Sequence, residues 1–138
     1  MVIRAEVVRR KLQEIEEAVA YLRSWDVRQE MLAQNRQLRW AVERGLQVAA
    51  EALFDTGAHI LAAEFQETVD EYREIPTRLL ARGVISAATA ERLKGLAGFR
   101  NVLVHDYAEI DLSRVLAGVE RLGDFDAFVA DVAGFLSR

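Results

Sequence analysis

The 138 residues carry a formal net charge of −4 and are 51% hydrophobic and 29% charged, the balance of a globular protein rather than a disordered one. The absence of cysteine excludes disulfides, cysteine-ligated zinc and a thiol nucleophile. The negative net charge argues against a protein that wraps duplex DNA through its overall charge, but not against a local basic groove for a short RNA segment.

Lys11 and Lys94 are the only lysines among 18 basic residues. Either the arginines serve bidentate phosphate contacts, or a GC-rich genome explains them. The N-terminus has no apolar region of the kind found in signal peptides, and no stretch approaches the roughly 18 to 20 apolar residues of a membrane span. We therefore expect a cytoplasmic protein with no membrane partner. Without repeats or linkers, residues 1–138 are expected to form a single domain.

Helical periodicity runs through almost the whole chain. The first predicted helix covers residues 3 to 24, with apolar residues at three- and four-residue steps. Trp25 and Asp26 predict a break, with Asp26 as the N-cap of the next helix.

The second predicted helix is longer, and Gly57 either ends it or allows a close helix crossing, because the apolar pattern resumes at Ile60. Polar residues follow from 64 to 76, and Ile75-Pro76 indicates a loop. The apolar stripe of this helix consists of Met31, Leu38, Val42, Leu46, Ala49 and Leu53, with Arg36, Arg39, Glu43 and Arg44 expected at its sides.

Three further helices complete the predicted fold. A short helix over residues 77–82 ends at Gly83, and Ser86 is the expected N-cap of a fourth helix that runs towards Val104. Asp111 is the expected N-cap of the last helix, in which Gly123 is a candidate for a bend. The pattern predicts an all-α, up-and-down bundle of about five helices.

Residues 99–107, FRNVLVHDY, differ from the core pattern because they place an arginine, a histidine and a tyrosine close together. His105 titrates near neutrality, so it can take a proton from an RNA 2′-hydroxyl or give one to the leaving 5′-oxygen. Arg100 can hold the phosphate and stabilise the charge that builds on its oxygens. Tyr107 can stack on a base or donate a hydrogen bond. Because RNA supplies its own nucleophile, this chemistry needs no metal or other cofactor.

Helix geometry does not by itself bring Arg100 and His105 together, because five residues separate them by about 140° around an ideal helix. Three arrangements remain open. The arginine side chain bends round the helix, the helix ends before His105, or a second protomer completes the site.

The spacing Arg100-x4-His105-x-Tyr107, with Asn101 directly after the arginine, resembles the motif of HepT-like toxins of the HEPN superfamily. Residues 41–53 and 55–60, and the run 72–76 with 83–85, are also similar to that family. This resemblance covers most of the chain from about residue 38 to 110.

The resemblance implies an all-helical homodimer whose two motif segments line a shared cleft, and a metal-independent RNase that acts as a toxin. It implies RNA as substrate and an MntA-type minimal nucleotidyltransferase antitoxin as partner. That antitoxin would neutralise the toxin by transferring AMP to Tyr107, placing negative charge beside Arg100. Arg100 and His105 are the expected catalytic residues.

Each motif residue also has a structural interpretation. His105 would bind free carbonyls at a helix end, and Tyr107 would be half-buried packing. Arg100 would be an ion-pair partner, with Glu43 as the candidate carboxylate; such a partner would also orient the guanidinium for catalysis. Among the supporting residues, Asn101 caps or bridges helices, and Asp106 either polarises His105 or caps the next turn.

Two other features admit a functional interpretation. Asp55 and His59 are spaced as metal ligands, but two ligands make no site, so no metal is expected and His59 is interpreted as a buried or interface residue. A carboxylate-rich segment is either a solvated face or a docking surface for a basic partner. Its residues are Glu64, Glu67, Asp70, Glu71 and Glu74.

Two rival functions share this fold. A non-catalytic HEPN module would hold nucleotide or substrate for a nucleotidyltransferase, keeping Arg100 but not depending on His105. If the protein were a purely structural helical dimer, changes at Arg100 and His105 would alter only its stability.

Overall fold

The computed structural model describes residues 2–105, with the side chain of His105 excepted, and residues 110–138. Within these residues no strand forms, and the all-α prediction is confirmed. The α-helices are α1 (Ala5–Ser24), α2 (Gln29–Gln34), α3 (Arg36–Phe65), α4 (Ile75–Ala81), α5 (Ala87–Arg92), α6 (Leu96–His105), α7 (Leu112–Glu120) and α8 (Gly123–Leu136), and Tyr72–Glu74 form a 3-10 helix.

The second predicted helix is divided into α2 and α3 at Asn35. The Asn35 side chain accepts a hydrogen bond from the backbone N–H of Leu38 at 3.0 Å, which caps the start of α3. Asp26 is not an N-cap as predicted. It has a φ of 45°, and α2 begins only after Arg28. The apolar stripe continues in phase from α2 into α3, so periodicity alone did not reveal the break.

Gly57 marks a close crossing between α3 and α4 rather than a helix end. A Cβ atom at Gly57 would lie 2.5 Å from Ile75 Cγ2 and 3.1 Å from Leu79 Cδ1, so the two helices approach this closely only because glycine has no side chain. The loop predicted at Ile75-Pro76 is wrong. Both residues are buried in the first turn of α4, where proline is tolerated because its missing N–H would have had no helical partner.

Two further predicted helices are also divided. The fourth breaks into α5 and α6 at Gly95, which has a φ of 86°. The last breaks into α7 and α8 just before Gly123, where a bend was predicted. The N-caps predicted at Ser86 and Asp111 are confirmed, because their side chains accept hydrogen bonds from the N–H groups of Thr89 and Ser113 respectively.

Helix α3 lies at the centre of the packing. It contacts α1 most extensively and also packs against α2, α4, α6, α7 and α8. Its fully buried Leu46, Leu53 and Phe54 belong to one hydrophobic cluster that all the α-helices share. In the described ranges, no helix is both long enough and apolar enough to cross a membrane. The position of α3 matters for the site, because one of its faces meets α6.

Candidate functional site

Arg100 lies in α6 and turns its guanidinium towards α3. Its Nη2 donates a hydrogen bond to Oε1 of Glu51 at 3.3 Å, and its Nη1 donates to Oδ1 of Asn101 at the same distance. The Arg100 side chain is 17% exposed and that of Glu51 is 32% exposed. An ion pair at this depth is less screened by water than one at the surface, so it fixes the position of the guanidinium more firmly.

An aromatic stack forms a second side of the Arg100 environment. The guanidinium carbon lies 4.7 Å from the centre of the Tyr72 ring, and Tyr72 in turn stacks on Phe54 with ring centres 5.0 Å apart and planes within 5°. The 3-10 helix that carries Tyr72 is fixed by a capping box between Glu71 and Glu74. Because a cation over an aromatic face is attracted by the ring quadrupole, Tyr72 stabilises the charged guanidinium in this orientation.

The remaining nitrogen of the guanidinium group is less well satisfied. Nε of Arg100 is buried and has no hydrogen-bond partner among the described residues. A buried donor without a partner costs about 1–3 kcal/mol. Such a group in a native protein calls for an explanation, and a catalytic role is one of the known explanations.

Glu51 occupies the role for which the sequence suggested Glu43. It accepts from Arg100 and also from Nε2 of Gln47 at 3.3 Å. Glu43, Gln47 and Glu51 follow one another at steps of four on α3, so all three lie near one helix face. This spacing was the available signal, but it did not show which turn of α3 lies opposite Arg100. Tyr72 lies in the run 72–76 that is similar to the family, and nothing in that run predicts its contact with Arg100.

Helix α6 continues through His105, so an early helix end does not bring His105 towards Arg100. Five residues of α-helix correspond to a rise of about 7.5 Å and a rotation of about 140°. Asp106 and Tyr107 lie outside the described residues, as does the side chain of His105. Of the three arrangements considered above, the bent arginine side chain and the second protomer remain.

The carboxylate-rich segment has structural roles. Glu64 accepts hydrogen bonds from the backbone N–H groups of Val2 and Ile3, both at 2.9 Å. Glu67 binds Arg82 at 2.6 Å and Arg78 at 3.2 Å; the Arg82 hydrogen bond is the main reason that the pKa of Glu67 lies below its ordinary value. Four of the five carboxylates, with Glu71 and Glu74 in the capping box, thus stabilise the fold itself, which favours the structural interpretation over a docking surface.

His59 is half-buried on α3 and Asp55 is exposed. In the part of the chain that the structure describes, no three His, Asp or Glu side chains are grouped so that they could hold a metal ion. Arg100 supplies a fixed positive charge that can stabilise a phosphate, and the histidine of the motif follows within the same helix.

The chain is similar to known proteins both in sequence and in fold. A family model described as "Ribonuclease HepT-like" matches residues 7–132. The mRNA nuclease HepT of Shewanella oneidensis is 32% identical over 97 residues, which cover 70% of this chain and 73% of that protein. The solved structure of a tri-AMPylated Shewanella oneidensis HEPN toxin in complex with MNT antitoxin matches with a TM-score of 0.84 at 25% identity, covering 95% of this chain and 99% of the matched chain. The cytosolic protein YutE of Bacillus subtilis has the same fold, with a TM-score of 0.84 at 18% identity over 99% of this chain and 92% of its own.

Proposed function

This chain belongs to the HepT-like ribonuclease family, and from that premise we propose that it is a metal-independent endoribonuclease and the toxin of a HEPN/MNT toxin–antitoxin pair. The observation that carries the proposal is the placement of Arg100. It is the arginine of the segment that resembles the family motif, and it lies half-buried against Glu51 and Tyr72, with one donor unsatisfied among the described residues. A cytoplasmic location is part of the proposal.

In the proposed reaction, the 2′-oxygen of a ribose attacks the adjacent phosphorus. The new P–O2′ bond forms as the P–O5′ bond breaks, so the products end in a 2′,3′-cyclic phosphate and a 5′-hydroxyl. His105 acts as general base for the 2′-hydroxyl or as general acid for the leaving 5′-oxygen. Arg100 stabilises the negative charge on the non-bridging oxygens. Asn101 supports Arg100 through its contact with Nη1, and Asp106 orients His105.

The proposed site is completed across a homodimer. Arg100 is directed towards α3 of its own chain, and α6 carries His105 about 140° further around the helix axis. In a two-fold dimer, the Arg100 of one protomer is paired with the His105 of its partner, and the symmetry creates two such pairs.

Regulation is proposed at Tyr107. A nucleotidyltransferase of the MNT type would transfer AMP from ATP: the phenolic oxygen attacks the α-phosphorus, pyrophosphate leaves, and the phenolic proton passes to a base of the transferase. The structure matched above is of a tri-AMPylated toxin with its MNT antitoxin. AMP on Tyr107 would bring a negative phosphate to the motif and compete with RNA for Arg100.

The test is RNA cleavage by the purified protein in EDTA, with the product ends identified. Wild type should yield cyclic phosphate and 5′-hydroxyl ends, and Arg100→Ala or His105→Ala should lower the rate roughly 10²- to 10⁴-fold. Asp55→Ala, which alters an exposed residue of α3, is the matched control and should cleave RNA as wild type does. Cleavage that survives His105→Ala, or products with 3′-hydroxyl and 5′-phosphate ends, would contradict the mechanism.

Co-expression of the two inactive variants tests the shared site. If Arg100 and His105 act across the dimer, each mixed dimer contains one intact pair, so random assembly recovers about a quarter of the wild-type activity. If both residues instead act within one chain, no protomer in the mixture carries an intact pair, and the mixture stays inactive.

A further inference from the structure

Trp40 on α3 is a large apolar side chain left exposed at the surface. It is 62% exposed, although aromatic side chains of this size normally contribute most when they are buried. Arg36 lies one turn before it and Arg44 one turn after it, at steps of four that put all three side chains on one helix face. Both arginines are exposed, and neither has an ion-pair partner among the described residues.

This basic and aromatic surface, Arg36–Trp40–Arg44, lies on the same side of α3 as Glu51. Arg44 and Glu51 are seven residues apart, which places them two turns apart and only about 20° from alignment. Glu51 in turn contacts Arg100. Trp40 is eleven residues before Glu51, a distance of about 16 Å along the helix axis.

The charge around Trp40 is opposite to that of the chain as a whole. Residues 36–44 contain three arginines and one glutamate, whereas the whole chain has a net charge of −4. Arg36 is also the first residue of a helix of 30 residues, where the helix dipole adds positive potential. A negatively charged, flat-ringed ligand fits both features, because Trp40 offers a face for stacking and the two arginines offer contacts for phosphates.

We propose that Arg36, Trp40 and Arg44 form a stacking platform for single-stranded RNA, which holds the substrate strand on the approach to Arg100. The inference rests on the proposed ribonuclease function for the identity of the strand. Trp40 stacks on one base, and Arg36 and Arg44 contact the phosphates on either side of it. At 3.4 Å per stacked nucleotide, the distance from Trp40 to Glu51 corresponds to about five nucleotides.

The two tryptophans of the chain allow a direct measurement. Trp25 is half-buried, so the Trp25→Phe variant reports the fluorescence of Trp40 alone. The ligand is a ten-nucleotide 2′-O-methyl-oligouridine, which has no free 2′-hydroxyl and therefore is not cut by the proposed mechanism. We expect saturable quenching of Trp40 by this RNA, weakening for oligonucleotides shorter than about five nucleotides.

Substitutions separate stacking from charge. Trp40→Ala should weaken binding of the same RNA roughly 5- to 100-fold, while Trp40→Phe keeps most of the affinity because it keeps a ring. Arg36→Ala and Arg44→Ala should each lower the slope of log affinity against log salt by about 0.7. Tyr21→Ala and Arg10→Ala, exposed residues on α1, are the matched controls and should leave both quantities unchanged.

The proposed platform would be refuted if the RNA did not quench the fluorescence of Trp40. It would also be refuted if Trp40→Ala bound the RNA with the affinity of wild type. If Trp40→Ala instead abolishes binding of the nucleotidyltransferase, or converts a dimer into a monomer, while RNA affinity is unchanged, the surface belongs to a protein interface. The experiment also distinguishes a failure of the ribonuclease proposal from a failure of the platform. If the protein cuts no RNA but its Trp40 fluorescence is quenched by the 2′-O-methyl-oligouridine, the proposed reaction is wrong and the platform is supported.

Discussion

Replacing Glu51 by alanine removes the carboxylate that orients Arg100 and leaves the rest of the guanidinium environment in place. At 3.3 Å and an effective dielectric constant of 20, the gross attraction between the two charges is about 5 kcal/mol. Most of this is offset by the loss of hydration, and the distance is longer than the 2.7–2.9 Å typical of strong charge-assisted hydrogen bonds. Because Glu51 is also 32% exposed, we take the net contribution as about 1–1.5 kcal/mol.

If Arg100 stabilises the transition state, this loss of orientation should appear in kcat. We expect Glu51→Ala to lower kcat about five- to tenfold, with KM changed much less. Glu51→Gln keeps a neutral acceptor of the same shape, and neutral hydrogen bonds are roughly half as strong, so its loss should be about threefold. Rescue by the glutamine distinguishes orientation of Arg100 from a general loss of stability.

The assay is steady-state cleavage of a fluorescent RNA, with the free energy of unfolding of each variant measured in urea. Asp55→Ala lies one turn further along α3 and should behave as wild type within twofold. An unchanged kcat in Glu51→Ala would show that the ion pair does not orient Arg100 for the reaction. A higher kcat would show that Glu51 competes with the RNA phosphate, and it would equally refute the reasoning.

Two predictions concern stability. Gly57→Ala gains about 1 kcal/mol of helix propensity but places a methyl group 2.5 Å from Ile75, so we expect a net loss of stability of about 1–2 kcal/mol and a Tm lower by roughly 2–6 °C. Gly134→Ala on α8, where an added Cβ would have no neighbouring atom within 4 Å, should instead raise the Tm. Calorimetry of both variants checks the sign of each change. The Arg82 hydrogen bond lowers the pKa of Glu67 below its ordinary 4.5. Above that pH, the free energy of unfolding of wild type should therefore exceed that of Glu67→Gln. This difference in stability should disappear as the pH falls through the lowered pKa. A difference that persists at pH 2 in urea unfolding would argue against this linkage.

Helical periodicity predicted the fold class well because each helix buries one apolar face in a shared core. It failed at the breaks, since the apolar stripe continues in phase from α2 into α3 and only the side chain of Asn35 marks the interruption. It also placed Arg39 at the side of the stripe, whereas Arg39 is 7% exposed. A long side chain can bury its stem beside an apolar face, and a hydrophobic pattern does not detect this.

The site was predictable to the extent that its residues are close in sequence. Arg100 and Asn101 belong to one motif and contact each other. Glu51 and Tyr72 come from α3 and the 3-10 helix, and only the packing of these elements brings them to Arg100. No sequence rule selects Glu51 over Glu43, because both occupy the same helix face, and the choice depends on which turn of α3 lies opposite α6.

The ion pair between Arg100 and Glu51 limits how RNA can first be attracted. A guanidinium that is already paired with a carboxylate and only 17% exposed projects little positive potential into solvent, and the chain as a whole is negative. Initial attraction of a phosphate chain therefore needs other cations. Arg36 and Arg44 are exposed and have no ion-pair partner among the described residues, and they lie on the helix that carries Glu51. On the proposed function, these arginines would govern association and its salt dependence, while the paired Arg100 would act only on the phosphate that reaches it.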